Sequence, residues 1–149
     1  MIGLLQRVTE ASVTVEGAIT GRIGPGLMVL VAVQRGDTPE QAERLAERLL
    51  AYRVFEDDAG KMNLDVTQIG GGLLLVPQFT LAADTGRGNR PSFSHAADPA
   101  LGRQLFDACV VAARARWDNV ATGRFGANMD VRLLNQGPVT FWLEVPPGA

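Results

Sequence analysis

The chain has 149 residues, 46% hydrophobic and 20% charged, enough to bury one sizeable core and too apolar for a disordered chain. A net charge of −2 argues against coating nucleic acid through broad positive charge, and a single cysteine excludes an internal disulfide framework. No apolar run approaches the roughly 20 residues of a membrane span, and the opening MIGLLQRVTEASV lacks the basic and apolar regions of a signal peptide, so a reducing cytoplasm is the expected setting.

In chain order, residues 2–8 and 11–16 read as two strands separated by Thr9-Glu10. In the second, Val13 and Val15 alternate with Ser12, Thr14 and Glu16, the period of a half-buried strand. A short strand follows over 18–23, then a turn at Gly24-Pro25-Gly26. Residues 27–33, LMVLVAV, are continuously apolar and suit a central strand. Residues 38–51 predict a helix: Thr38 caps it, Pro39 takes its first position, and Gln41 completes a capping box. Its apolar stripe is Ala42, Leu45, Ala46, Leu49 and Leu50. A strand and a turn at 57–60 come next, followed by a Gly70-Gly71-Gly72 run and the strand Leu73–Val76. Pro77 cannot donate to a sheet ladder and ends that strand. Residues 84–97 form a long polar loop, of the kind that often carries function. Asp98 and Pro99 start a second helix with Leu101, Leu105, Ala108, Cys109 and Ala112 as its stripe. Two strands, about 129–134 and 139–145, close the chain around the turn Asn135-Gln136-Gly137-Pro138. The order is β-rich with two helices, an α+β plan in one domain over 1–149.

A conventional catalytic site is hard to assemble from these residues. Cys109 lies mid-helix on an apolar stripe and reads as buried and inert. His95, the only histidine, is either an exposed loop residue or a base, and no spacing supports a nucleophile–histidine pair. Metal-ligand spacing is absent, so neither a metal nor a cofactor is expected. Asp57 and Asp58 are turn formers, and the glycine run precedes a strand rather than a phosphate-binding helix. Residues 85–132 hold seven arginines against four acidic groups. They are either scattered solvated charges or a small contact for an anion such as one end of an RNA.

Elimination leaves backbone amides, neutral polar groups and the substrate's own groups. Pro77-Gln78-Phe79-Thr80 ends a strand, where freed N–H groups can face a ligand oxygen; an edge-strand bend is its plain alternative. Asn135-Gln136-Gly137-Pro138 gives close backbone approach and fixed geometry; a hairpin connection is the alternative there.

Taken together, MIGLLQRVTEASVTVEG, GKMN, PQFTLAADTGRGNRPSF and GRFGANMDVRLLNQGPVT resemble the D-aminoacyl-tRNA deacylase family over nearly the whole chain. The resemblance implies a compact single domain with a barrel-like β core and two main helices. It implies a homodimer with active sites at the interface, acting on the 3′ end of aminoacyl-tRNA without a cofactor. Gln78, Phe79 and Thr80 would form the catalytic block. Gly137, Pro138, Arg7, Asn135 and Met129 would bind substrate and select chirality. Gly137-Pro138 would be a cis peptide reaching into the partner's pocket, with Arg7 supporting it.

The family pattern has serine where this chain has Pro77, which removes a serine hydroxyl from the mechanism. A Pro-Gln opening is also similar to a paralogue group that clears L-alanine from tRNA, while Phe79 and Val139-Thr140 match the D-specific enzymes. The remaining alternative is a non-catalytic nucleic-acid-binding module that docks through the arginine-rich segment.

Overall fold

The computed structural model describes residues 1–148; Ala149, the last residue of the domain expected over 1–149, lies outside them. The first strand, β1 (Ile2–Val15), runs unbroken through Thr9-Glu10, where the sequence predicts a separation. It continues because both its edges are paired along most of its length. One edge takes β2 (Ala18–Ile23) and β3 (Gly26–Ala32) in succession, with Ile23 opposite Ala11 and Gly26 opposite Val8. Gly24-Pro25 is therefore a bend between two strands laid end to end, not a reversal.

Two further strands extend the sheet. β3 pairs in parallel with a strand over Gly72–Pro77, and a short strand over Val120–Thr122 pairs in parallel with that one. Helix α1 (Pro39–Ala51) and a two-stranded ribbon of β4 (Phe55–Glu56) and β5 (Met62–Leu64) lie between β3 and the Gly72–Pro77 strand, which is β6; the Val120–Thr122 strand is β7. Gly21 of β2 abuts Thr122 of β7, so the mixed sheet curls almost into a barrel. At Gly26 a Cβ would lie 1.9 Å from the Gly72 carbonyl oxygen, so only glycine lets these strands approach there.

The last strand, β8 (Asp130–Glu144), pairs antiparallel with β1 along its other edge. The sequence predicts two strands joined by a turn; the structure has one strand carrying a bulge. The difference arises because β1 templates both halves of β8 in the same direction, so the Asn135–Pro138 segment bows out instead of turning back.

The uninterrupted apolar runs reflect burial on both faces of the sheet. Leu27, Val29, Leu73 and Leu75 meet Leu45 and Leu49 of α1, together with Leu105 of α2 (Pro99–Arg116). Met28, Leu74 and Val76 face the barrel interior with Val8, Val13 and Ile23. In α1 the predicted stripe is buried, and the Thr38 N–H donates to Gln41 Oε1 at 2.7 Å. In α2 the buried face is Gly102, Leu105, Phe106, Cys109, Val110 and Ala113, while Leu101, Ala108 and Ala112 are only half-buried. Leu105 and Cys109 of the predicted stripe stay buried, and the helix is rotated so that Phe106 and Val110 join them in the core.

Candidate active site

β6 delivers the first part of the site. Its ladder with β3 runs to the pair Val31–Pro77, and the Gln78 N–H then donates to the Val31 carbonyl at 2.8 Å. Past that point the chain tightens into a 3-10 turn, Phe79–Ala82. Among the described residues the Phe79 and Thr80 amides have no backbone acceptor, as expected for the first donors of such a turn. The Thr80 hydroxyl accepts from the Gln78 side-chain amide, and no carboxylate or imidazole among the described residues hydrogen-bonds to it. His95 instead sits exposed, 3.9 Å from the half-buried Asp84.

Beside this turn opens a cavity of about 910 Å³. Gln78, Phe79 and Met129 line it, so three of the sequence-predicted residues come together. Met129 is held by its Sδ, which accepts from the Arg124 N–H at 3.4 Å. Thr80 is exposed and stands outside the lining. Among the wall residues that sequence reasoning missed are Arg35 after β3, Phe93 in the polar loop, and Phe125 between β7 and β8. Arg103 covers the Phe125 ring at 5.0 Å. A lone aromatic inside a stretch as polar as TGRGNRPSFSH was the available signal for Phe93.

The other predicted residues gather elsewhere, at the β8 bulge. Between the pairs Gln6–Thr140 and Val8–Asn135, four residues of β8 oppose Arg7 alone. Asn135 ties the ends of the bulge: its Oδ1 accepts from the Val139 N–H at 3.0 Å, and its Nδ2 donates to Thr140 Oγ1 at 2.9 Å. Arg7 is buried beneath it, donating from Nε to the Gln136 carbonyl (3.2 Å) and from Nη1 to the Val54 carbonyl (2.9 Å). Gly137 and Pro138 are joined by a cis peptide and both are exposed. They do not line the cavity of their own chain. Gly137 has φ +132°, a conformation open to glycine and costly for other residues.

A family model described as D-Tyr-tRNA(Tyr) deacylase matches residues 4–144. The chain belongs to this family. A D-aminoacyl-tRNA deacylase of Thioalkalivibrio sulfidiphilus is 64% identical to it, the match covering 99% of each chain. Among solved structures, the c-Myc DNA Unwinding Element Binding Protein is 36% identical with a TM-score of 0.93, covering 98% of this chain and 99% of that one. A probable eukaryotic D-amino acid tRNA deacylase shares the fold at 19% identity, with a TM-score of 0.83 and coverage of 97% and 98%.

Cys109 is one nucleophile this deacylase-family chain keeps out of reach. Burial pushes its thiol up to about 12, so it stays protonated at neutral pH. A thiol-reactive dye at pH 8 is expected to leave the native protein unlabelled over an hour and to titrate one thiol in guanidinium. Prompt labelling of the folded protein would contradict that placement. Among the described residues no three His, Cys, Asp or Glu side chains converge as a metal site, and no helix is long and apolar enough to cross a membrane.

Proposed function

We propose that this protein hydrolyses the ester joining a D-amino acid to the 3′ end of tRNA, releasing free tRNA and the D-amino acid. The observation that carries the reading is the pairing of two features in one family chain. One is a cavity that opens beside unpartnered amides at Phe79 and Thr80; the other is an exposed, braced Gly137-Pro138 bulge.

In this reading the Phe79 and Thr80 amides stabilise the oxyanion that forms when water attacks the ester carbonyl. Gln78 orients the substrate, Phe79 stacks on the terminal adenine, and Met129 closes the wall behind them. The terminal ribose 2′-OH positions or activates the water, because Pro77 supplies no hydroxyl and Thr80 has no base beside it. Thr80→Ala is therefore expected to keep the single-turnover rate within about tenfold, or ~1.4 kcal/mol of barrier. A fall of several orders of magnitude in a folded variant would make Thr80 the nucleophile. A D-aminoacyl-tRNA ending in 2′-deoxyadenosine is expected to react at least about a hundredfold more slowly, the usual contribution of one acid–base group. An undiminished rate would rule out assistance by the 2′-OH.

Chirality follows from where the bulge sits. Two copies pair through β8, which is hydrogen-bonded to β1 on one edge only and exposes Leu134, Phe141 and Trp142. An unpaired strand edge with exposed apolar side chains beside it invites a partner. Gly137-Pro138 of one copy then enters the cavity of the other, and its backbone stands where an L side chain would project. A D side chain points elsewhere, so L substrates are excluded by contact rather than D substrates attracted. Glycine has no side chain to exclude, so some glycyl-tRNA hydrolysis is expected. The setting is the cytoplasm, where aminoacyl-tRNA is found. Rapid clearance of L-alanyl-tRNA would instead place the chain with the paralogue group.

The name of the 36% identical neighbour keeps a second reading in view, a module that binds DNA without catalysis. The net charge of −2 weighs against it. Salt-dependent duplex binding with no deacylation would favour it.

A further inference from the structure

Phe79 does not stand alone at the cavity mouth. Phe93, from the polar loop, lies 5.2 Å from it between ring centroids, with the ring planes inclined at 48°. Phe79 is 60% exposed and Phe93 41%, unusual for two touching aromatics that a core would normally cover. Both line the cavity, as does Arg35. Arg35 is held close to Phe93 by the pairing of the two segments. Its N–H donates to the His95 carbonyl at 2.9 Å, its Nε reaches the Ala96 carbonyl at 3.4 Å, and the Ala96 N–H returns to the Phe93 carbonyl at 3.1 Å. A guanidinium carries more donors than this one contact uses.

The inclination of the rings matters. Planes at 48° cannot sandwich a single base, so each ring offers its own outer face. Two adjacent aromatic faces with a cation beside them match two successive nucleotides of a single strand: a base on each ring and the bridging phosphate on the guanidinium. A cavity of about 910 Å³ also has room beyond one aminoacylated nucleoside.

We infer that Phe93 and Arg35 form a second nucleotide subsite, which takes the penultimate base and its 3′ phosphate while Phe79 takes the terminal adenine. The inference rests on the deacylase reading above. Stacking reads a ring face and not a base edge, so the subsite senses that a second nucleotide is present, not its sequence.

The test compares two small substrates, the D-tyrosyl ester of adenosine and the D-tyrosyl ester of the dinucleotide CpA. Wild-type protein is expected to favour the dinucleotide through a lower KM. Phe93→Leu and Arg35→Gln are each expected to shrink that KM preference, Phe93→Leu by roughly ten- to hundredfold, the contribution of one stacked base. Because the effect is read as a ratio between substrates, a general loss of activity or folding does not mimic it. Phe93→Tyr, which keeps a ring face, is expected to restore the preference. A preference that survives in both variants, or a wild-type protein that does not distinguish the two esters, would overturn the subsite and leave the deacylase reading standing. A wild-type protein that hydrolyses neither ester nor D-tyrosyl-tRNA would overturn both.

Discussion

Gly137→Ala is expected to cut the discrimination between D- and L-tyrosyl-tRNA by at least about tenfold. The residue has φ +132°, and a Cβ built there lies 2.7 Å from Val139 Cγ2 and 3.1 Å from the Val139 nitrogen. An alanine must therefore leave its conformation or push Val139 aside, at a cost of order 1–3 kcal/mol. Val139 is buried and its N–H is held by Asn135, so the bulge gives way first. In the proposed mechanism a displaced wall would no longer meet the L side chain. Paired single-turnover assays on the two esters read the ratio directly. A variant that folds, keeps its D activity and still rejects L would show that the wall lies elsewhere.

Arg7→Ala is expected to have the larger effect on stability. Its guanidinium is buried and binds two carbonyls, those of Gln136 and Val54, from segments far apart in sequence. Hydrogen bonds to a charged donor contribute roughly 1.5–3 kcal/mol each, so removing both should cost about 3–6 kcal/mol. For a chain of this size that lowers Tm by on the order of 10 °C. Deacylation should fall with it, because the bulge loses the support beneath Gln136. Arg7→Lys keeps the charge but not the fork that reaches two carbonyls, and should fall between the two. Unfolding by guanidinium, followed beside activity, separates the two losses; a variant of unchanged Tm would mean that Arg7 braces nothing.

The parts of this protein that its sequence declares are those built from local signals. Thr38-Pro39 and Asp98-Pro99 start helices where capping chemistry says they should, and the Asp98 carboxylate accepts from the Leu101 N–H at 2.9 Å. The runs at 27–33 and 73–76 are sheet strands covered on both faces. What the sequence hides depends on distant partners. β1 and β8 each continue through a local break because each templates the other. Val120–Thr122 is too short to show a period and becomes a strand only because β6 offers a free edge.

The site divides in the same way. Gln78, Phe79, Arg7, Asn135, Met129, Gly137 and Pro138 stand out through family motifs, and their separation into a cavity and a bulge is a three-dimensional fact. Phe93 and Phe125 lie inside two of those family stretches and Arg35 outside them, and only the fold brings the three to one wall.

In the proposed mechanism this protein hydrolyses aminoacyl-tRNA and excludes L-amino acids by contact. The most direct measurement is deacylation of D-tyrosyl-tRNA and L-tyrosyl-tRNA prepared on the same tRNA, under single-turnover conditions with the wild-type protein. Rapid release of D-tyrosine, with L-tyrosyl-tRNA decaying no faster than it does without protein, is the expected result. Equal rates on the two esters, or release of neither, would contradict the claim.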